Sequence, residues 1–186
     1  MKPEKFDVSI SAARIEQLKK RLASAKWPDV VGEDDWQYGV PRVWMEEMVH
    51  YWVNEWSWKA AEEEMNRFNH FKVVIEGINI HYLHAPAAKP DSPALLLSHG
   101  WPWTFWDFRY VIEPLSQDYN VYVPSLPGFG FSTPLKLSGI DVKHTARLWV
   151  QLMTDVLGYK RFYAHGGDWG GLITAQLAHA HSDKVA

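Results

Sequence analysis

Gly166-Gly167-Asp168-Trp169-Gly170-Gly171 follows a short strand pattern, Arg161-Phe162-Tyr163-Ala164, and runs directly into a helical pattern, Leu172 to Ala180. A strand, a glycine-rich turn and a helix in immediate succession is the context of a nucleophile elbow, in which the central residue holds a strained backbone conformation. Small residues two before and two after that position let strand and helix approach, and Gly166 and Gly170 stand there around Asp168. The helix start adds partial positive charge that favours an ionised carboxylate. An aspartate at a strand-to-helix turn also serves as an ordinary N-cap, so the turn by itself leaves two readings open.

Upstream of this turn, strand and helix patterns alternate. The short apolar run Ala94-Leu95-Leu96-Leu97 predicts a strand buried on both faces, and Val121-Tyr122-Val123 predicts another. Helical patterns lie at about 104–116 and 141–157, the second closed by Gly158 in the position favoured after a helix end. Such alternation predicts a mostly parallel sheet flanked by helices, with ligands beyond the carboxyl ends of its strands. Ahead of this region, Phe71–Ile75 and Ile78–Leu83 flank Glu76-Gly77 in a hairpin pattern.

Residues 1–69 read differently. Ile15, Leu18 and Leu22 recur at helical spacing up to Trp27-Pro28-Asp29. A second helix is predicted with Pro41 in its first turn and Trp44, Met48, Tyr51 and Trp52 on one face. A third follows Ser57 as cap and runs toward Phe68. Six of the 11 tryptophans fall in this helical extension, which points either to large packed aromatic contacts or to an apolar pocket.

Composition narrows the function classes. The 186 residues are 47% hydrophobic, enough for one buried core and a modest extension. Net charge is −3 with both signs interspersed, and no basic run tracks a phosphate backbone, so nucleic acid is not an expected partner. The absence of cysteine removes disulfides, thiolate metal sites and thiol nucleophiles. No stretch reaches the roughly 20 apolar residues of a membrane span, and the first residues lack a signal-peptide core, so the default setting is cytoplasmic. His81 and His84 fall on opposite sides of a predicted strand, and His179 and His181 diverge on a predicted helix, so no metal set is expected.

Two further loops stand where a doubly wound sheet places its chemistry. Ser98-His99-Gly100-Trp101-Pro102-Trp103-Thr104 leaves a buried strand, and the N–H of Trp101 there can face an oxyanion, with Pro102 able to fix the geometry; the Trp101-Pro102 bond is open to cis, the minority form, as well as trans. An ordinary turn with a proline at the helix start is the alternative. Ser125-Leu126-Pro127-Gly128-Phe129-Gly130-Phe131-Ser132 lacks the G-x-G-x-x-G spacing of a nucleotide loop.

With these three loops in this order, the chain resembles an epoxide hydrolase of the α/β-hydrolase superfamily, in His99-Gly100-Trp101-Pro102, Ser125 to Ser132 and Gly167-Asp168-Trp169-Gly170. The helical extension resembles the N-terminal region of microsomal-type epoxide hydrolases, so the likeness covers nearly the whole chain. It implies the N-terminal part of an α/β-hydrolase fold over 70–186, preceded by the helical extension 1–69. It implies Asp168 as nucleophile toward an apolar epoxide, opening it to a diol through an aspartyl ester. It further implies the N–H groups of Trp101 and Trp169 as oxyanion hole, both indoles as substrate contacts, and no metal or organic cofactor. Water is the second substrate.

Only 18 residues follow Asp168, and they offer no suitable base, acid or lid proton donor. At about 1.5 Å rise per residue His179 would stand roughly 15 Å along its helix, and His99 and His165 occupy positions suited to orienting loops. The chain is therefore expected to be incomplete for turnover, with an open sheet edge to be covered by a C-terminal half or a second copy. A haloalkane dehalogenase, which uses the same elbow aspartate, and a noncatalytic fragment that binds a partner through its aromatic surface are the competing readings.

Overall fold

The computed structural model describes residues 2–29 and 36–186; Met1 and residues 30–35 of the expected helical extension lie outside them. The chain divides into a helical unit, Val8–Met65, and a sheet unit made of the residues up to Asp7 together with Asn66–Ala186.

The sheet unit is organised by a tight hairpin. Strand β2 (Asn69–Ile75) and strand β3 (Ile78–Ala85) pair antiparallel with Ile75 opposite Ile78, leaving Glu76 and Gly77 as the turn. Both turn residues have positive φ, 50° and 77°, the two-residue geometry whose twist matches the flanking strands. Strand β4 (Ala94–Ser98) is buried at every position, as a strand covered on both faces must be. It lies between β5 (Asn120–Pro124) and β6 (Tyr163–Gly166) and runs parallel to both. A short strand, β1 (Glu4–Phe6), pairs antiparallel with β2.

The order is β1-β2-β3-β5-β4-β6. Among these residues the sheet is thus mixed, and its parallel part is β5-β4-β6. The departure from a mostly parallel sheet has a simple cause: a two-residue turn joins only antiparallel neighbours, and the hairpin is then continued by β1 on one side and β5 on the other. Residues up to Asp7 consequently belong with the sheet and not, as the sequence suggested, with the helical extension. Three residues carry no usable periodicity; β1 exists because the β2 edge offers unpaired N–H and C=O groups. Beyond β6, Phe162 bridges in parallel to Val185 through Phe162 N–H to Lys184 O (2.9 Å) and Ala186 N–H to Phe162 O (3.0 Å). The edge expected to be open therefore carries one isolated parallel bridge.

Helices fill the crossovers. A 3₁₀ turn, Phe105–Phe108, precedes the helix Arg109–Leu115, so the predicted helix over 104–116 starts tightly wound, with Thr104 Oγ1 accepting from Trp106 N–H at 3.3 Å. A longer helix, Val142–Gln151, is capped by Asp141, which accepts from His144 N–H at 2.7 Å. It widens into a π turn, Leu152–Val156, and ends at Gly158, φ 80°. The helix Trp169–Ala180 follows β6 directly. The core joins the last two of these helices to the sheet through Ile75, Ile80, Leu96, Trp149, Leu152, Phe162, Ile173 and Leu177.

The helical unit contains helices Ala12–Ala23, Arg42–Asn54 and Trp58–Met65, the last capped by Ser57 Oγ accepting from Ala60 N–H at 3.2 Å. Pro41 stands just before its helix and not inside the first turn. Trp44, Met48, Tyr51 and Trp52 remain substantially exposed. Trp56 makes edge contacts with Trp52 and Trp58, and these three rings share a cleft with Ile15, Leu18 and Leu22. No helix among the described residues is long and apolar enough to cross a membrane.

Glu76, at the hairpin tip, ties the turn to the helix Val142–Gln151. Its carboxylate accepts from Arg147 Nε (3.0 Å) and Nη2 (3.1 Å), from His144 Nε2 (2.8 Å) and from Gln151 Nε2. Arg147 first, then Gln151, pull its carboxyl down to about 2 from an ordinary 4.5. A carboxylate lowered on folding stabilises above its unfolded pKa and loses that stabilisation as pH falls toward the folded one. Glu76→Gln is expected to cost about 1 kcal/mol at neutral pH, a figure discounted for solvent screening of a third-exposed group. Urea midpoints of the two proteins should converge as pH falls from 4.5 to 2; parallel midpoints across that range would contradict the assignment.

Candidate active site

The parallel pairing of β4 with β6 sets Ser98 opposite Gly166, so the loops leaving both strands emerge side by side. Asp168 sits at the tip of the second loop with φ 52° and ψ −124°, a conformation that costs an L-residue of order 1–3 kcal/mol and is held by its surroundings. The residue precedes a helix, yet its side chain makes no capping hydrogen bond. Instead Oδ1 accepts from the backbone N–H of Trp101, 2.8 Å away and 67 residues distant in sequence. Asp168 thus stands at the N-cap position, but its carboxylate is engaged by the neighbouring loop and not by the helix it precedes.

Both flanking indole residues contribute through their backbones. The Trp101 amide is the leading cause, and the Trp169 amide the second, that hold the Asp168 carboxyl below the usual carboxylate range. The Trp101 bond is the one with full hydrogen-bond geometry; Trp169 acts as the looser donor. The carboxylate itself is solvent-exposed, as are the side chains of Trp101 (58%) and Trp169 (46%). A carboxylate with one oxygen held by amide donors can attack through the other and, once alkylated to an ester, offers a carbonyl whose developing negative charge has donors already in place.

Glycine makes this approach possible by absence of volume. A Cβ on Gly170 would run into the carbonyl of Ser98, and one on Gly166 into the backbone of Gly170. The sequence pointed to these two. It did not point to Gly100, whose Cβ would lie 2.5 Å from both Cβ and Oδ1 of Asp168. The signal was present in His99-Gly100-Trp101-Pro102, but only the three-dimensional approach shows what the small residue makes room for. The Trp101-Pro102 bond is cis, the minority form of the two the sequence left open.

Two side chains brace the first loop. Trp149, fully buried, donates from Nε1 to Ser98 Oγ at 3.0 Å. His99, also buried, has Nδ1 3.0 Å from Gly100 O and Nε2 3.0 Å from Leu126 N. The loop Ser125–Ser132 is itself pinned from below. Ser125 Oγ meets His81 Nδ1 (2.9 Å), His81 Nε2 meets His70 Nδ1 (3.0 Å), and Ser132 Oγ donates to Ser125 O (2.8 Å) while accepting from His81 N–H (2.9 Å). Phe129 from this loop meets the Trp169 ring edge-on at 5.8 Å. Beside them lies a cleft of about 260 Å³, lined mainly by Leu126, Phe129, Ile140, Val142, Trp169 and Leu172.

Three of the histidines are engaged elsewhere. His81 lies in the buried chain just described, His84 stacks on Tyr122 with ring centroids 4.4 Å apart, and His144 serves Glu76. His165 shares its face of β6 with exposed Tyr163, and His179 is exposed near the end of its helix.

Residues 3–108 match the family described as the epoxide hydrolase N terminus, and residues 93–186 match the alpha/beta hydrolase fold. Epoxide hydrolase 1 of Sus scrofa is 33% identical over 189 residues, covering 93% of this chain and 41% of its own length. The structure of the Aspergillus niger epoxide hydrolase superposes with a TM-score of 0.89 at 28% identity, over all of this chain and 51% of that one. The juvenile hormone epoxide hydrolase from the silkworm Bombyx mori superposes with 0.86 at 28% identity, over 98% of this chain and 51% of that one. The chain thus spans about half or less of the length of the proteins it matches.

Gly170→Ala forces a methyl into the Ser98 carbonyl, where only backbone can yield, and should lower unfolding free energy by about 1–3 kcal/mol, read from denaturant unfolding. Gly171→Ala, whose Cβ would approach the Gly166 carbonyl no closer than 3.4 Å, should be tolerated. Equal effects of the two substitutions would contradict the close approach of strand and helix.

Proposed function

The chain belongs to the epoxide hydrolase family, and from that premise we propose that it carries the nucleophilic half of an epoxide-opening site. Asp168 is the nucleophile and the backbone N–H groups of Trp101 and Trp169 are the oxyanion donors. The observation that carries this reading is the 2.8 Å hydrogen bond from Trp101 N–H to Asp168 Oδ1, at a residue with φ 52°.

In the first step a carboxylate oxygen of Asp168 attacks an oxirane carbon. A C–O ester bond forms, the strained ring C–O bond breaks, and its electron pair leaves as an alkoxide that takes up a proton. In the second step water, deprotonated by a base, adds to the ester carbonyl carbon. The resulting oxyanion is held by the two amides, and collapse releases a diol and the carboxylate. An aspartate suits this sequence because its ester can be cleaved at the acyl carbon, whereas a serine would be left as an ether.

The exposed indoles of Trp101 and Trp169, with the apolar cleft beside Trp169, fit a small apolar epoxide. The match of residues 3–108 to the epoxide hydrolase N terminus favours an epoxide over a haloalkane. The base, its orienting acid and the alkoxide's proton donor are assigned to the part of the relatives' length that this chain does not span, because His81, His99 and His144 all have other partners.

Incubation with an aryl epoxide followed by intact-mass analysis tests the reading. One epoxide mass should be added to the chain, mapped to Asp168 and absent in Asp168→Ala. Because its folded carboxyl is held below the ordinary range, Asp168 stays anionic, and labelling should persist, at pH values where an ordinary aspartate is protonated. Equal labelling of Asp168→Ala, or none of either protein, would count against the assignment.

A further inference from the structure

We propose that His99 is a positioning residue: as the neutral Nδ1–H tautomer it holds the Gly100–Trp101 peptide plane between Leu126 and Asp168, and so aims the Trp101 N–H. That this N–H matters for catalysis rests on the function proposed above; the aiming itself is a matter of geometry.

Each ring nitrogen of His99 faces a group with only one possible role. Nδ1 is 3.0 Å from Gly100 O, which can only accept, and Nε2 is 3.0 Å from the Leu126 backbone N–H, which can only donate. One tautomer satisfies both, with the proton on Nδ1 and a bare Nε2. Protonating Nε2 would set two donors against each other in a site where His99 is 1% exposed.

The consequence lies in which peptide is held. Gly100 C=O and Trp101 N–H belong to the same planar trans unit and point in opposite directions. His99 fixes the oxygen end, and the hydrogen end is thereby directed at Asp168 Oδ1. The anchor is firm because Leu126 follows Ser125, whose side chain is bound to buried His81 and whose carbonyl accepts from Ser132 Oγ. Burial lowers the readiness of His99 to take a second proton; its bond to Gly100 O and the charge of Asp107 act the other way, and the Phe129 ring meets it edge-on without charge.

NMR on this chain tests the proposal without any epoxide. Long-range ¹H–¹⁵N correlation should show His99 with a protonated Nδ1 and a bare Nε2. His99→Asn keeps a donor toward Gly100 O but loses the reach to Leu126, and His99→Gln keeps an acceptor toward Leu126 but loses the donor. Each should speed Trp101 amide exchange about tenfold, the loss of roughly one hydrogen bond, while the Leu95–Leu97 amides of β4 stay protected. A protonated Nε2 in the unaltered chain would overturn the proposal by itself, even if neither variant folds. Unchanged Trp101 exchange in both folded variants would also overturn it. Failure of the epoxide reading would appear separately, as an unaltered chain that takes up no epoxide while these resonances behave as described.

Discussion

One hydrogen bond, from the amide of Trp101 to the carboxylate of Asp168, sets the terms for much of the sheet unit. It joins two loops that meet only because β4 and β6 run parallel and in register, with Ser98 beside Gly166. It needs three glycines in place of side chains, at 100, 166 and 170. It also needs Asp168 to accept a positive φ, a cost met by the packing of β6 and the following helix around the turn. In the proposed reaction, fixed backbone donors beside an open carboxylate would require no rearrangement as negative charge develops there, which is where preorganisation is worth most.

The bracing of this pair reaches outward in layers. Trp149 holds Ser98, His99 holds Gly100 and Leu126, and His81 holds the loop that carries Leu126. All these groups are buried and satisfied, so each polar contact strengthens the frame instead of weakening the core. The exposed surface at the tip is by contrast aromatic and open, with Trp101 and Trp169 either side of the carboxylate. Rigidity below and access above is the arrangement a reacting group requires.

Much of this was legible in the sequence for definite reasons. Gly166 and Gly170 announced the turn because only small residues fit there, and Glu76-Gly77 announced the hairpin because its turn needs positive φ. What escaped was set by contacts distant in the chain. Strand β1 is three residues recruited by an edge, and Gly100 is small because of a side chain 68 positions later. His70 and His81 carry no signal of pairing until the hairpin sets them within hydrogen-bond reach. The apolar row Trp44, Met48, Tyr51 and Trp52 shows the opposite limit: its helical spacing is clear, yet spacing alone does not bury it.

The central claim is that backbone amides keep Asp168 ionised and ready to react. Its most direct test is the titration of the Asp168 carboxyl carbon by ¹³C NMR, followed together with the Trp101 and Trp169 amide resonances. The account predicts a carboxyl that titrates below the ordinary aspartate range, with both amides shifting at the same midpoint. A midpoint at or above that range, or amides indifferent to it, would contradict the account.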